Sequence, residues 1–480
     1  MGSNNIFVGR KKEIDILQKA LASAEAEMVA VIGRRRVGKT FLIKSVYQEQ
    51  IQFQMTGIQN ATSERQLENF AYRLSLLKER EEPLKTPQNW FRGFTMLIDY
   101  LRELDLKEKY VVFFDEVPWM ATHKSDFLQG LSFFWNSWAV DQNIVVVICG
   151  SAASWMVQKV VNHTGGLHNR ITRRINLRPF TLSETEEYFQ SRNISLNRNH
   201  IIHIYMALGG IPHYLKEVEA GKSAIQNIND ICFSEGGLLR DEFSKLYPAL
   251  FEKSENHISV IRALATKRQG MSRLEIIKKS GLKNGGTLTK VLQELEQSGF
   301  ISAYYAYGKK KRNRLYRLTD EYSLFYLHFI EKNIYEGNDT WQQLSQTQSY
   351  KIWSGYTFES ICIKHLEQIK KALSIGGVYS ISSSFFKKGT EESPGAQIDL
   401  VLDRKDQVIN LFEIKFYEKE FVMTRSYADS LLTKKQVFQE TVNSNKLILW
   451  TFISPFGIKQ NSHSLSVIDK VLTLDSLFDS

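Results

Sequence analysis

Between the apolar run MVAVI and the helix-forming run FLIKSVY, the chain reads Gly33-Arg34-Arg35-Arg36-Val37-Gly38-Lys39-Thr40. This is the spacing GxxxxGK[ST], placed between a strand and a helix as a phosphate-binding loop (P-loop) requires. The glycines allow backbone N–H groups to surround phosphates, and the N-terminus of the following helix adds partial positive charge. We expect Lys39 to reach the β- and γ-phosphates and Thr40 to ligate Mg²⁺.

Two later apolar runs end in polar residues that suit the same site. One ends in Asp115-Glu116, where the aspartate can bind Mg²⁺ through water and the glutamate can polarise an attacking water. The other leads to Ser151, whose hydroxyl is a candidate sensor of the γ-phosphate or an ordinary strand-terminal group. Because these runs alternate with helical stretches, the first third of the chain is predicted to be an α/β domain with a parallel sheet.

The chain as a whole is predicted to be a multidomain α/β protein. After a P-loop domain over residues 1–180, amphipathic helical sequence over 181–256 predicts a helical lid. Residues 257–320 have the pattern of a winged helix-turn-helix, with three short helices and a basic hairpin. A helical connector is expected over 321–350 and a second α/β domain over 351–480.

The composition is that of a globular protein with several domains. Of 480 residues, 43% are hydrophobic and 24% charged, which excludes disordered and fibrous classes. The net charge of +10 favours a polyanionic partner, nucleic acid before an anionic membrane surface. The three cysteines lie far apart, so neither a disulfide framework nor a zinc site is indicated. Without an apolar run long enough for a membrane span, or an export signal, a cytoplasmic protein is expected.

Taken together, the motifs resemble the AAA-related signal-transduction ATPases with numerous domains (STAND), in particular archaeal-type ATPases also common in Bacteroidetes. Phe7-Val8-Gly9-Arg10 is similar to that family's hhGRxxE element, whose backbone borders adenine. Gly210-Ile211-Pro212 is similar to the GxP motif of its lid, where the proline packs near the base. The resemblance covers nearly the whole chain and implies a prokaryotic ATPase that uses ATP and Mg²⁺.

The same resemblance points to arginines that sense the γ-phosphate, since a guanidinium fork suits a phosphate. Arg170 is the first choice and Arg173 or Arg174 the next, although a solvated basic edge is an equal alternative for each. The residues expected to contact the nucleotide are therefore Val8, Gly9, Arg10, Gly33, Val37, Gly38, Lys39, Thr40, Phe41, Ser151, Arg170 and Pro212.

The predicted winged helix offers a surface for nucleic acid. Its last helix buries an apolar face and leaves Lys290 outward, as in a recognition helix. The basic hairpin tip over 308–314 is flanked by Tyr304, Tyr305, Tyr307 and Tyr316, which suits phosphate, sugar or base contact. In the ATPases that this chain resembles, the module often packs on the lid as an intramolecular relay, and that alternative stays open.

The last domain contains a second constellation of charged residues. If a hairpin turn centres on Asp406, Asp399 lies opposite Glu413, and Lys415 shares the face of Glu413. Two carboxylates and a lysine on one patch suit Mg²⁺ or Mn²⁺ and phosphodiester cleavage, the lysine orienting or deprotonating the attacking water.

This arrangement resembles the PD-(D/E)xK nuclease superfamily, the restriction-endonuclease-like fold. Glu359 matches the carboxylate that some members carry on the preceding helix, and Lys435 and Gln436 are expected in supporting positions. A charged hairpin without catalysis, or a degenerate nuclease fold kept for binding, is the alternative.

The leading hypothesis is an ATP-binding and ATP-hydrolysing switch that controls a C-terminal metal-dependent nuclease acting on DNA. The catalytic residues would be Lys39, Asp115, Glu116, Asp399, Glu413 and Lys415, and the metal ligands Thr40, Asp115, Glu359, Asp399 and Glu413. The rival hypothesis is an ATP-gated DNA- or protein-binding regulator with an inert nuclease-like domain. A homo-oligomer or a regulatory protein partner fits either, and a translocating motor, which predicts closed rings, is a third alternative.

Overall fold

The computed structural model describes residues 7–79, 83–104, 108–122, 125–161, 169–308, 314–333, 339–391 and 394–479. The chain forms two compact units, Met1–Pro179 and Phe180–Ser480. In these described ranges, no helix has both the length and the apolar character needed to cross a membrane.

The first unit contains a five-stranded parallel sheet. Its strands are β1 (Glu27–Ile32), β2 (Ile51–Thr56), β3 (Tyr110–Asp115), β4 (Ile144–Gly150) and β5 (Arg173–Asn176). Their order across the sheet is β2-β3-β4-β1-β5, and all neighbours run parallel. Every residue of β1, β3 and β4 is buried, as strands covered on both faces require. The predicted parallel-sheet core is confirmed.

Helices cover this sheet. They are α1 (Lys11–Ala22), α2 (Lys39–Tyr47), α3 (Ser63–Leu77), α4 (Trp90–Glu103), α5 (Val117–Met120), α6 (Phe127–Ser137) and α7 (Ala153–Met156), with short 3₁₀ and π segments at Ala139–Asp141 and Val157–Val161. An aromatic cluster joins α4 and α6 to β3, with the rings of Phe94 and Phe127 each within 5.7 Å of Phe114. This cluster anchors the strand that ends in Asp115.

The strand directions determine where polar residues meet in this unit. Because parallel strands point the same way, the carboxyl ends of β1, β3 and β4 lie at one edge of the sheet. The glycine-rich loop 33–38 follows β1, Asp115 ends β3, and Ser151 follows β4. These three segments are therefore brought together at the edge where ligands bind in open α/β sheets.

The second unit begins with five helices, α8 (Leu182–Ser191), α9 (Arg198–Leu208), α10 (Pro212–Leu215), α11 (Ala224–Cys232) and α12 (Glu242–Leu246). Thr181 and Glu184 form a capping box that starts α8. A Cβ at Gly210 would overlap the carbonyl oxygen of Phe180, so glycine is required where the chain enters α10.

A three-helix subdomain, residues 254–318, follows. It contains α13 (Ser254–Ala265), β6 (Met271–Ser272), α14 (Arg273–Ser280), α15 (Gly286–Gln297), β7 (Ile301–Tyr305) and β8 (Arg314–Leu318). The strands form an antiparallel sheet with the order β6-β8-β7. The three helices and the hairpin expected from the sequence are present.

A helical connection leads to the C-terminal domain, residues 348–479. The connection contains α16 (Glu321–Phe325), a π segment (Tyr326–Ile330), α17 (Glu331–Asn333) and α18 (Thr340–Leu344). The domain contains α19 (Gln348–Lys364), α20 (Leu366–Ala372), β9 (Ser380–Lys387), β10 (Ala396–Arg404), β11 (Val408–Ile414), β12 (Phe421–Val422), α21 (Arg425–Val442), β13 (Leu447–Ile453), β14 (Ile458–Lys459), α22 (Ser462–Leu465), β15 (Lys470–Leu472) and a 3₁₀ segment (Leu474–Leu477).

The main sheet of this domain is mixed. Its order is β15-β13-β11-β10-β9, with antiparallel pairs from β9 to β11 and parallel pairs from β11 to β15. The segment is therefore an α/β domain, as its alternating sequence predicts.

Candidate functional site

The glycine-rich loop has the shape of a phosphate cradle. Gly38, with φ of 93°, is the residue before α2, a left-handed conformation that glycine adopts without strain. A Cβ at Gly33 would overlap the carbonyl oxygen of Leu177, whose N–H donates to Ile32 O at 2.7 Å. The two glycines are thus required for different reasons, one by backbone angle and one by the close approach of another segment.

The side chains around the loop are arranged as a nucleotide site needs. Lys39 is buried, and its Nζ donates to the carbonyl of Arg34 at 3.0 Å, at the inner side of the loop. Arg10 is also buried and donates to Val37 O at 3.4 Å, so the N-terminal segment contacts the loop. The ring of Phe41, 44% exposed, stacks on Phe7 at 5.6 Å. This pair gives an aromatic face beside the loop, next to Val8 and Gly9.

Thr40 and Asp115 form a candidate magnesium site. The hydroxyl of Thr40 donates to Asp115 Oδ2 at 2.6 Å, which joins the start of α2 to the end of β3. A hydroxyl and a carboxylate are hard oxygen ligands, and Mg²⁺ in such sites takes few protein ligands beside phosphates and waters. The residues present therefore fit a magnesium ion bound with a triphosphate.

Glu116 is held by Ser151. One carboxylate oxygen of Glu116 accepts from the backbone N–H of Ser151 at 2.9 Å and from its hydroxyl at 2.8 Å. The hydroxyl expected to face the γ-phosphate thus donates to the carboxylate instead. This contact could not be predicted from the sequence, because it depends on β3 and β4 being neighbours in the sheet.

The three expected sensor arginines lie on β5 or just before it. Arg173 lies opposite Val29 near the amino end of β1 and pairs with Glu27 at 2.7 Å. Arg174 is exposed on the same edge strand, and the exposed Arg170 precedes that strand. Since the loop follows the carboxyl end of β1, the ion pair directs Arg173 away from the loop, and the sensor roles expected of Arg170 and Arg174 stay predictions. Residues 165–168, which come shortly before Arg170 in the sequence, lie outside the described residues.

Two further residues lie beyond β5. Arg178 follows Leu177, the residue whose carbonyl oxygen approaches Gly33. Pro212 belongs to the second unit, where it opens α10 after Gly210. The carbonyl of Gly210 accepts from Phe180 N–H at 2.6 Å, so a backbone contact fixes the shape of this motif.

The second constellation lies on the hairpin of β10 and β11. Leu400 pairs with Phe412 and Leu402 with Asn410, a register centred on Asp406 that places Asp399 opposite Glu413. The predicted hairpin and its register are confirmed. Lys415 Nζ lies 3.0 Å from Glu413 Oε1.

Two residues of α21 also bind this carboxylate. Lys434 Nζ lies 2.9 Å from Glu413 Oε2, and the hydroxyl of Tyr427 donates to Oε1 at 2.5 Å. Burial opposes ionisation, but Lys415 and Lys434 hold the pKa of Glu413 below its ordinary value. Glu413 is therefore ionised at neutral pH.

The lysine that supports Glu413 from this helix is one residue before the one predicted. Gln436 is exposed and donates to Glu440 at 2.9 Å on the same helix, and Lys434, not Lys435, contacts Glu413. Tyr427 and Lys434 are seven residues apart, which puts them on one helix face. That spacing was the signal in the sequence.

The three-carboxylate metal set is not assembled. Burial raises the pKa of Glu359 to about 8, with Asp399 adding to the effect, so Glu359 is mostly protonated at neutral pH. Across the described part of the chain, no three Asp, Glu, His or Cys side chains are grouped to hold a metal ion. This corrects the expectation that Glu359, Asp399 and Glu413 act together, and leaves Asp399 and Glu413 as a pair.

The tyrosines beside the basic hairpin are used inside the protein. Tyr307 donates from its backbone N–H to Ser384 O at 2.6 Å and from its hydroxyl to Asp403 at 3.0 Å, and its ring packs edge-on against Phe438. Tyr304 donates to the carbonyl of Gln269. These contacts correct the expectation that the two rings serve nucleic acid. The hairpin tip, residues 309–313, lies outside the described residues.

Comparison with known proteins agrees with the loop geometry. Residues 7–218 match a family model described as an ATPase domain predominantly from Archaea. Over 444 aligned residues the chain is 24% identical to an uncharacterized protein of Methanocaldococcus jannaschii. The alignment spans 90% of this chain and 92% of the relative.

The solved structures that match this chain include two archaeal proteins. A Walker-type ATPase of Pyrococcus abyssi is 18% identical, covers 68% of this chain and 97% of its own, and superposes with a TM-score of 0.49. The ORC2 protein of Aeropyrum pernix is 16% identical, covers 72% of this chain and 98% of its own, and has a TM-score of 0.38. From the family match and the geometry at Gly33, Thr40 and Asp115, the chain carries a P-loop ATPase domain of archaeal type.

Proposed function

We propose that this protein is an ATP-hydrolysing switch that controls a C-terminal metal-dependent nuclease acting on DNA. The observation that carries the proposal is the hairpin register, which sets Asp399 opposite Glu413. Lys415 Nζ lies 3.0 Å from Glu413 Oε1, and the same chain has an ATPase domain. Two carboxylates and a cation on one patch suit phosphodiester cleavage.

In the ATPase domain each residue has a defined task. Lys39 would exchange the carbonyl of Arg34 for the β- and γ-phosphates, and Thr40 and Asp115 would hold Mg²⁺. Glu116 would polarise the attacking water from the orientation that Ser151 gives it. The ring of Phe41, beside Val8 to Arg10, would border the adenine. Because a γ-phosphate can order the segments around it, occupancy of this site supplies the two states of a switch.

In the C-terminal domain, Asp399 and Glu413 would hold Mg²⁺ or Mn²⁺, which would polarise the scissile phosphate. Both fit as oxygen donors, and Glu413 is ionised. Burial opposes protonation of Lys415, but Glu413 raises the pKa of its ammonium above the ordinary value. Lys415 would therefore act as a cation that positions the phosphate and the water, rather than as the base.

The three-helix subdomain supports DNA as the partner. Its order of helices and its antiparallel hairpin suit a winged helix-turn-helix, and Lys290 is 68% exposed on the outer face of α15. The overall positive charge of the chain favours the same partner.

A second candidate is an ATP-gated regulator that binds DNA or protein through an inert nuclease-like domain. The observation in its favour is that both oxygens of Glu413 are occupied, one by Lys434 and the other by Lys415 and Tyr427. A metal ion would have to displace some of these contacts.

Cleavage of DNA distinguishes the two candidates. Purified protein would be incubated with supercoiled, linear and single-stranded DNA in Mg²⁺ or Mn²⁺, with Lys415→Ala and Glu413→Gln alongside. We expect both variants to lose at least roughly a hundredfold in rate. Lys405→Ala, an exposed lysine at the turn end of the same hairpin, is the matched control and should cleave normally. Absence of cleavage by the wild type with either metal would favour the regulator.

A further inference from the structure

A large cavity lies at the second constellation and is built from two parts of the second unit. It has a volume of about 1000 Å³ and includes Asp399 and Lys415 from the C-terminal domain in its walls. The three-helix subdomain contributes Arg268, Gln269 and Arg317 to the same walls. We call it the composite cavity.

Specific contacts hold the subdomain at this cavity. The side-chain amide of Gln269 donates to Gln397 Oε1, and the amide of Gln397 donates to Asp399 at 2.8 Å. On the other side of the hairpin, Tyr307 donates to Asp403. Arg268 and Arg317 therefore face the cavity as part of a docked surface.

The walls carry an excess of positive charge. The cationic side chains in the walls are Arg268, Arg317, Lys351, Lys415, Lys419 and Lys434. The carboxylates in the walls are fewer, namely Glu359, Asp399 and Glu418. Such a charge balance suits the phosphates of a polyanion.

Aromatic rings accompany these cations. Tyr356 and Tyr417 are in the walls, and Tyr417 is 44% exposed. The guanidinium of Arg268 lies 4.3 Å from the centre of the Tyr356 ring. Cations interleaved with accessible rings are the pattern of proteins that bind single-stranded nucleic acid, because unpaired bases offer their faces for stacking. Paired bases in a duplex do not offer their faces for stacking in this way.

We propose that the composite cavity binds a single strand of nucleic acid, with Arg268 and Arg317 on its phosphates and Tyr356 and Tyr417 against its bases. The proposal rests on the proposed function, because it names the substrate of the same site. A volume of about 1000 Å³ is at the upper end of ligand pockets, which suits a few nucleotides of one strand and is too small for a duplex.

Binding without cleavage tests this proposal. Fluorescence anisotropy of a labelled oligonucleotide, single-stranded or duplex, would be measured in EDTA with the full chain over a series of salt concentrations. We expect the single strand to bind more tightly than the duplex. Tyr417→Ala should weaken single-strand binding by roughly tenfold, through loss of one stacked base. Arg268→Gln should reduce the slope of log K against log salt by about 0.7, the value for one phosphate contact.

Both variants change exposed side chains, so the fold should be retained, and circular dichroism would check this. Lys405→Ala, an exposed lysine at the turn end of the β10–β11 hairpin and outside the cavity walls, is the matched control and should not weaken single-strand binding. Unchanged single-strand binding in both Tyr417→Ala and Arg268→Gln would overturn the proposal, as would tighter duplex binding that only Lys290→Ala removes. Single-strand binding that follows the expected pattern, without cleavage in any metal, would support the cavity and refute the nuclease. Duplex cleavage without single-strand binding would refute the cavity alone.

Discussion

Ser151→Ala should slow ATP hydrolysis through the orientation of Glu116. The hydroxyl and the backbone N–H of Ser151 both donate to one oxygen of the Glu116 carboxylate, at 2.8 and 2.9 Å. Ser151 is only 2% exposed, so water has little access to replace the lost hydroxyl. The backbone bond survives the substitution, and Glu116 keeps one of these two restraints.

The size of the effect follows from the bond that is lost. A hydrogen bond to a charged group contributes about 1.5–3 kcal/mol, and about 1.4 kcal/mol corresponds to a factor of ten in rate. The expected fall in kcat is therefore roughly tenfold to a hundredfold. ATP affinity should not change, because neither bond involves the phosphate-binding loop. Glu116→Gln, which removes the group that polarises water, should cost roughly 10²- to 10⁴-fold.

A double-mutant cycle on phosphate release at saturating ATP would isolate the coupling. If Ser151 acts by positioning Glu116, Ser151→Ala should have little further effect in the Glu116→Gln background. Ser154→Ala, another buried serine of this unit, serves as the control and should be neutral. An equal loss from Ser151→Ala in both backgrounds would show that the hydroxyl acts on the phosphate itself, and the positioning account would be refuted.

Three further substitutions test other parts of the structure. Gly33→Ala would force a methyl group against a backbone carbonyl, so ATP should no longer raise the melting temperature in scanning fluorimetry; normal ATP stabilisation would contradict this. Burial lowers the pKa of His365 from 6.5 to about 4, so the folded state binds fewer protons than the unfolded state between these values. As the pH drops from 6.5 to 4, His365 should therefore lower the free energy of unfolding, measured in urea, by up to about 3 kcal/mol. His365→Gln should remove this part of the pH dependence. An unchanged pH dependence in the variant would contradict it. Lys434→Ala should lower the rate of DNA nicking at least roughly tenfold and Lys435→Ala should not, because only Lys434 contacts Glu413; equal effects would be inconsistent with the observed helix face.

Much of this architecture could be predicted from local patterns. The continuous apolar runs of β1, β3 and β4 identify strands buried on both faces, and the glycine spacing after β1 identifies the loop. The register of β10 and β11 follows from strand alternation around a polar turn at Asp406. In each case the deciding residues are neighbours along the chain.

The contacts that the sequence did not reveal join segments distant along the chain. Arg173 was expected near the phosphates, but it lies opposite Val29 and pairs with Glu27 at the amino end of β1. Ser151 reaches Glu116 because β4 lies beside β3. The identity of the lysine on Glu413 depends on the phase of α21, in which a shift of one residue turns a side chain by about 100°.

The two tyrosines of the basic hairpin show the same limit. A Tyr beside basic residues suits either nucleic acid or a protein partner, and only the docking of the hairpin on the C-terminal domain decides between them. Tyr307 is occupied by Asp403 and Phe438, and Tyr304 by Gln269.

A single assay measures whether ATP binding at the P-loop controls DNA cleavage. Initial rates of DNA cleavage would be compared for wild type, Lys39→Ala and Lys415→Ala, each with and without ATP in Mg²⁺. We expect ATP to change the rate of the wild type, Lys39→Ala to cleave at a rate independent of ATP, and Lys415→Ala not to cleave. A wild-type rate that is the same with and without ATP, or an undiminished ATP response in Lys39→Ala, would contradict this expectation.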